Sequence, residues 1–252
     1  MNNIDVLLIK KYIVHVARRK KYMISRSQLK GRSKDQLRGR WGLAIGVVLA
    51  GLILMSGFNI GVNLKRTYDS AEQIGIVPSV NSGLFLSATI FANLWALVLS
   101  GVFTLGMKIF LINFTTGKNQ AGIRNLFEGF NVYLKALGMS ILVGLIVFIG
   151  CILLIIPGII FALMYSQAFY ILADDSSKSI TDCMTESREM MVGHKAELFV
   201  LYLSFIGWFI LGSIPFGIGL LWVNPYAEVT YTNYYLELKN EKYAIESSGN
   251  QY

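Results

Sequence analysis

The sequence has little charge. Charged residues make up 15% of its 252 residues, and hydrophobic residues make up 54%, whereas soluble domains contain about 25% charged residues. The shortage is uneven, because long stretches contain no charged residue at all. Such stretches are typical of segments that lie in lipid, and they exclude a chain built mainly of soluble domains.

Cysteine is also scarce. The two cysteines are Cys151, within an apolar run, and Cys183, within a segment that we predict to be cytoplasmic. They differ in depth and would meet a reducing compartment, so we expect no disulfide bond between them.

Motifs that carry chemistry are lacking as well. The sequence contains no serine, cysteine or histidine constellation for nucleophilic catalysis and no phosphate-binding glycine loop. We therefore expect no enzymatic activity, no cofactor and no metal. A secretory signal is not evident either, because the first long apolar run begins only at Trp41 and is predicted to stay in place as a signal-anchor.

Basic residues, in contrast, are concentrated near the start. Residues 1–40 contain twelve of the 23 lysines and arginines, opposed only by Asp5 and Asp35, in a chain of net charge +8. This segment directly precedes an apolar run, so the positive-inside rule and attraction to anionic lipid headgroups explain it. No aromatic and basic interleaving accompanies the charge, and we expect no nucleic-acid partner.

The first 22 residues allow two interpretations. They form an extension or a misassigned beginning, with Met23 as a second possible start, or they form a short interfacial helix. The pattern over residues 23–40 predicts a cytoplasmic basic amphipathic helix, which Ser25 or Ser27 can cap.

The apolar runs predict an all-α membrane protein with about six transmembrane helices, arranged as three hairpins with short cytoplasmic amphipathic helices. We expect a multi-pass protein of the cell membrane, with both termini cytoplasmic. A transmembrane domain is predicted over residues 41–238 and a polar cytoplasmic tail over 239–252. The predicted spans cover approximately residues 41–64, 84–112, 132–156, 159–173, 198–213 and 217–236.

The last two hairpins have predicted breaks at their far ends. Pro157 and Gly158 separate the third and fourth spans, and Pro215 and Gly217 separate the fifth and sixth. Proline cannot donate the hydrogen bond that continues a helix, and glycine accepts turn dihedrals. The two hairpins thus resemble parallel repeats of one another.

Several blocks of the sequence resemble an uncharacterised bacterial membrane family, the domain of unknown function 975. The blocks are SRSQLKGRSKDQLRGRWGLAI at 25–45, LLIIPGIIFALMYSQAFYILADD at 153–175, SREMMVGHKAELF at 187–199 and LSFIGWFILGSIPFGIGLLWVNPY at 203–226. The resemblance extends from Met23 to Leu238. It implies a multi-spanning protein of Gram-positive bacteria and implies no activity.

A candidate intramembrane polar site lies in the sixth predicted span. Glu228 falls about halfway along it, where an ionised carboxylate costs roughly 2.5 kcal/mol or more, and Asn224 precedes it by one turn. Lys108, in the inner half of the second span, is the plausible counter-charge. The site binds a proton, a cation or a headgroup, or else Glu228 makes a structural contact near the cytoplasmic headgroups; the sequence leaves both open.

A metal interpretation is weaker. Asp182, Glu186, Glu189, His194 and Glu197 occur close together, yet Gly193 interrupts them and no known ligand spacing is present. The segment is better explained as a solvated amphipathic helix.

Three classes of function remain. The first is a non-enzymatic membrane component that binds another membrane protein, and the second is a small permease or lipid-handling protein with a polar site near Glu228. The third, a membrane enzyme, lacks a recognisable active site. The first is favoured, because a carrier of this size should contain more intramembrane polarity.

Replacing Glu228 with glutamine is expected to destabilise the protein, because Lys108 then loses its counter-charge. Replacing Lys108 with methionine in the same protein should partly restore stability. Thermal unfolding in detergent measures both effects, and a Glu228→Gln protein as stable as the parent would contradict the pairing.

Overall fold

The computed structural model describes residues 25–56, 82–117 and 121–249, and all regular secondary structure within them is helical. The first 22 residues, Met23 and the connection between the first two predicted spans lie outside the described residues. The helices are α1 (Arg26–Leu37), α2 (Trp41–Ser56), α3 (Ser82–Thr115), α4 (Asn125–Glu128), a 3-10 helix (Gly129–Val132), α5 (Tyr133–Leu153), α6 (Ile155–Met164), α7 (Ala168–Asp174), α8 (Ile180–Met190), α9 (Lys195–Ser213) and α10 (Leu220–Gly249).

Helix α1 begins as its sequence predicts. The Ser25 side chain accepts a hydrogen bond from the backbone N–H of Gln28, and the Gln28 side chain accepts one from the backbone N–H of Ser25. This capping box satisfies two backbone donors that the first turn leaves unpaired. Leu29 and Leu37 are buried, and α1 packs against α10. The chain then bends by 102° into α2.

Helix α3 approaches α4 and the 3-10 helix closely at two glycines. A Cβ atom on Gly106 would overlap the backbone of Leu126, and one on Gly129 would overlap the carbonyl of Val102. Because small residues let backbones approach closely, these glycines bring the short α4 segment directly onto α3.

The break between α5 and α6 differs from the prediction. It lies at Leu154, which has an extended backbone, and Pro157 and Gly158 are part of the first turn of α6. A proline in the first turn removes no helical hydrogen bond, because the N–H groups there have no partner within the helix. The predicted position of this break was therefore wrong by three residues.

The second predicted break agrees with the structure. Helix α9 ends at Ser213, and Pro215 and Gly217 lie in the turn before α10. Gly217 has a φ of 79°, and Phe216 has a φ of 51°, which is uncommon for a residue other than glycine.

Both hairpins close on a pair of glycines. A Cβ atom on Gly150 would lie 3.0 Å from the Cα atom of Gly158, and one on Gly219 would lie 2.6 Å from the Cα atom of Gly212. The same close approach of two glycines, at the same end of each hairpin, is consistent with the predicted repeat.

Two further boundaries differ from expectation. The fourth predicted span is divided into α6 and α7 by a turn over residues 165–167. Helix α10 does not end with the sixth predicted span; it continues to Gly249, through most of the predicted polar tail. Ion pairs on the extended part of α10, described below, explain why the polar residues there remain helical.

Four helical segments within the described residues are long and apolar enough to cross a membrane, or five if the bent pair α1 and α2 counts as one. The four are Val98–Thr115, Asn125–Leu153, Ile155–Asp174 and Lys195–Ser213. Helix α10 is not among them, since its average hydropathy is lowered by polar residues. Six spans in three hairpins therefore remain a prediction.

The apolar surface is concentrated on α5, α6 and α9 and on the turn after α9. Ile152, Leu153 and Ile156 are about two-thirds exposed or more, and Phe216 is fully exposed. In water such a surface would be unfavourable, whereas lipid covers it at no cost. It supports insertion of these helices in a membrane.

Replacing Gly219 with alanine should destabilise the α9–α10 hairpin by about 1–3 kcal/mol, since the new methyl group would meet backbone atoms of Gly212. Gly207→Ala is the matched control, because no described atom lies within 4 Å of a Cβ at that position. Thermal unfolding in one detergent compares the two variants. Equal stability of the two proteins would contradict the close approach at Gly212.

Candidate functional site

Lys108 and Glu228 form an ion pair. Lys108 Nζ lies 2.9 Å from Glu228 Oε2, and this contact joins α3 to α10. The two side chains are 16% and 32% exposed. The structure thus brings together the two residues that the sequence suggested as partners, although they are 120 positions apart.

Two hydroxyl groups lie beside this ion pair. Lys108 Nζ also donates a hydrogen bond to Tyr170 Oη over 3.2 Å, and Thr232 Oγ1 lies 3.4 Å from the same oxygen. Thr232 Oγ1 donates to the backbone carbonyl of Glu228 as well, over 2.8 Å. The ammonium group therefore has two oxygen partners, which lowers the cost of removing it from water.

The aromatic ring of Tyr170 extends the arrangement toward the end of α7. It stacks on Tyr235 with ring centroids 5.1 Å apart, and Tyr235 Oη donates a hydrogen bond to Asp174 Oδ2 over 3.1 Å. A continuous set of contacts thus leads from the Lys108 pair to the surface of the molecule.

Asn224 lies beside a small cavity next to the pair. The cavity has a volume of about 90 Å³ and is lined by residues of α2, α3 and α10, with Thr104, Lys108, Asn224 and Glu228 as its polar groups. Pro225, the next residue, lies inside α10. A cavity of this size has room for water beside these polar groups.

The chemical capacity of the site follows from its charge balance. One cation and one anion neutralise each other at 2.9 Å, and the neighbouring groups are neutral hydroxyl and amide groups. Because the pair is only partly buried, breaking it should cost less than the roughly 3–5 kcal/mol of a fully buried pair. The geometry explains how the Glu228 carboxylate is tolerated among packed helices, and it leaves a small cavity on one side.

Further ion pairs join α10 to its other neighbours. Glu237 contacts Arg32 of α1 at 2.7 Å, and Lys242 contacts Glu186 of α8 at 3.0 Å. Lys239 forms a short contact with Asp174 at the end of α7. Since these pairs are partly exposed, each contributes modestly, and they act mainly to fix the orientation of α10.

His194 forms a buried cluster with two glutamates. Its Nδ1 atom lies 3.0 Å from Glu197 Oε2, and its Nε2 atom lies 3.3 Å from Glu241 Oε2. His194 is 2% exposed and Glu241 is 4% exposed. Two carboxylates on opposite sides of one imidazole favour the protonated ring, in which both nitrogens carry a proton.

The electrostatic balance at His194 has two opposing parts. Burial lowers the pKa of the imidazole, but Glu241 and Glu197 raise it, and the pKa ends above its ordinary value. Tyr234 Oη donates a hydrogen bond to the His194 backbone carbonyl over 3.0 Å. This cluster therefore joins the start of α9 to α10 at the end remote from the hairpin turn.

The acidic segment before α9 does not assemble as a metal site. Helix α8 ends at Met190, and Gly193 has a φ of 86°, so the predicted interruption at Gly193 is confirmed. Glu186 contacts Lys178 and Lys242. Within the described ranges no group of three histidine, cysteine or acidic side chains can hold a metal ion. Cys151 and Cys183 are free.

The family of the chain follows from its sequence. A family described as "Protein of unknown function (DUF975)" matches residues 23–161 and 146–242. The chain belongs to this family. No curated protein matches the chain, and no solved structure matches it. The Gram-positive origin implied by the resemblance remains a prediction.

Sequence reasoning missed the partners that surround the site. The sequence analysis gives no role to Tyr170 or Tyr235, and Glu241 falls within the predicted tail. Their positions relative to Lys108 and His194 depend on packing between distant helices, for which the sequence carries no local signal. Helical spacing does place Glu228 and Thr232 on one face of α10, since residues four apart are neighbours.

The stability of the protein should fall as the pH rises above about 6.5, the ordinary pKa of histidine. The folded-state pKa of His194 is raised, so its contribution is fully present below the unfolded pKa and is lost as the pH passes the folded pKa. Thermal unfolding between about pH 6 and about pH 9 measures this dependence. The His194→Gln protein, which keeps His15, should show a flatter profile, and an unchanged slope would contradict the assignment.

Proposed function

We propose that this protein is a non-enzymatic component of the cell membrane that binds another membrane protein. Membership of an uncharacterised family and several apolar helices support the membrane part of the proposal. The observation that supports the binding part is an open small-residue face on α2.

That face consists of Gly42, Gly46, Leu49 and Ile53, which follow the three- and four-residue spacing of one side of a helix. No described atom lies within 4 Å of a Cβ placed on Gly42 or Gly46. Leu49 is 39% exposed and Ile53 is 54% exposed. Glycines at this spacing let a second transmembrane helix approach closely.

Other glycines of the described helices provide the contrast. Gly51, on the opposite side of α2, would bring a Cβ atom into Met107, and Gly101 would bring one to 2.6 Å from the carbonyl oxygen of Ala136. These glycines serve packing within the chain. The pair on the open face has no such use among the described helices, and a helix of a partner protein would fit it.

The charge balance of the polar site supports the same function. Lys108 and Glu228 neutralise each other, and the cavity beside them is small, at about 90 Å³. A pathway for a larger solute would need more polar lining than the described residues provide around that cavity.

The proposed orientation places both termini in the cytoplasm. Arg26, Lys30, Arg32 and Lys34 lie on α1, and Arg38 directly follows it, before the apolar α2. An excess of lysine and arginine next to a span favours the cytoplasmic side. Anionic headgroups of that leaflet would then contact the basic residues.

A second candidate function is a small permease or lipid-handling protein with a polar site near Glu228. The cavity lined by Lys108, Asn224 and Glu228 favours it, because an ionisable group inside a span commonly marks a pathway. It needs the cavity to enlarge in another conformation.

A photoreactive residue at position 49 tests the proposal. We expect ultraviolet light to produce one defined protein adduct in intact cells, and Gly46→Leu should reduce that adduct roughly fivefold or more, which corresponds to about 1 kcal/mol of lost contact energy. The same residue at position 145 on α5, which is 52% exposed, controls for random collisions in the bilayer. The matched substitution Gly144→Leu, at a position with no described atom within 4 Å, should leave the adduct unchanged.

Equal labelling at positions 49 and 145 would contradict a specific partner. An adduct with a lipid or another small molecule in place of a protein would instead support the second candidate.

A further inference from the structure

A groove separate from the Lys108 site lies where α1, α2, α9 and α10 meet. Its volume is about 370 Å³, which falls within the usual range for small-molecule pockets, about 300–1,000 Å³. The lining residues are two cations and five apolar or aromatic residues, namely Lys34, Arg38, Trp41, Trp208, Trp222, Val223 and Tyr226.

Most side chains that line the groove are apolar or aromatic. Val223 and Tyr226 form a buried base, at 8% and 7% exposure, while Trp208 and Trp222 remain 46% and 49% exposed. The Trp208 and Tyr226 rings meet edge to face with centroids 6.5 Å apart. Large rings left half exposed and held in fixed geometry offer a surface that an apolar ligand can cover.

One end of the groove carries positive charge. Lys34 makes no ion pair with any residue in the described part of the chain, and its Nζ lies 5.7 Å from the centre of the Tyr226 ring. Arg38 contacts Asp35 at 3.5 Å, but these side chains are 81% and 68% exposed. A contact between groups so exposed is weak, so the arginine keeps most of its capacity to bind an anion.

This combination matches one class of ligand. A phosphate group bonds well to lysine and arginine, and a glyceryl and acyl region packs against indole rings, which prefer the boundary between headgroups and hydrocarbon. A zwitterionic choline headgroup fits less well. Its quaternary ammonium would seek the ring faces, and at Tyr226 that position is occupied by Lys34.

We propose that this groove binds the headgroup of an anionic phospholipid, with Lys34 and Arg38 holding the phosphate and the tryptophans packing against the adjoining part of the lipid. The site is independent of the proposed protein partner, because the open face of α2 is formed by other residues. It also differs from general attraction by the basic segment, since it requires two particular cations beside one set of rings.

Tryptophan fluorescence can report on this groove directly. Three of the four tryptophans, Trp41, Trp208 and Trp222, line it. Bromine atoms on a lipid quench nearby indoles, so the full-length protein would be placed in phosphatidylcholine vesicles that contain a minor fraction of brominated phosphatidylglycerol. The reference vesicles contain the same fraction of brominated phosphatidylcholine.

We expect the wild-type protein to prefer the brominated anionic lipid roughly five- to tenfold, because two basic side chains attract an anionic headgroup and salt screens part of that attraction. The Lys34→Gln/Arg38→Gln protein should lose most of this preference. The control Arg26→Gln/Arg124→Gln removes the same charge at two exposed positions outside the groove and should keep it.

Three results would overturn the proposal. The first is equal quenching by both lipids in the wild-type protein, and the second is an equal loss of preference in the two double variants, which would indicate general electrostatic attraction. The third is reversal of the quenching by inorganic phosphate at millimolar concentration, which would indicate a site for free phosphate. Circular dichroism of each variant checks that the helices are retained. If the quenched tryptophans are those of the groove, Trp208→Phe should reduce the quenching.

Discussion

The ion pair between Lys108 and Glu228 is the contact on which the arrangement of the helices depends. An ionised carboxylate inside a bilayer is costly, at roughly 2.5 kcal/mol or more near its centre, and α10 can carry Glu228 there only where another helix supplies a cation. Helix α3 supplies it at 2.9 Å, and Tyr170 of α7 adds a hydrogen bond to the same ammonium group. One polar contact thus fixes three helices relative to one another.

Helix α10 is the element that the other polar contacts also share. Beyond Glu228, its Glu237, Lys239, Glu241 and Lys242 contact α1, the end of α7, the start of α9 and α8, respectively. This explains how a helix with many polar residues remains ordered over its full length to Gly249. It also separates two regions of the molecule, because the polar contacts lie along α10 and the exposed apolar surface lies mainly on α5, α6 and α9 and on the turn after α9.

Many features of the fold and of the Lys108 site could be predicted from local sequence, and other features could not. The apolar helices, the Ser25 cap, the interruption at Gly193 and the pairing of Lys108 with Glu228 follow from hydropathy, capping chemistry and the cost of unpaired charge. The break at Leu154 could not be predicted, because proline is equally compatible with the first turn of a new helix. The Tyr170 contact joins residues 62 positions apart, and only the packing of α3, α7 and α10 brings them together.

Exchange of the two charges tests the central contact most directly. The single variants Lys108→Glu and Glu228→Lys each place two like charges side by side, and the double variant restores a pair of opposite sign in the reverse order. Thermal unfolding of the four proteins in the same lipid nanodiscs gives the coupling energy. The account predicts that the double variant is more stable than either single variant, and strictly additive losses would contradict it.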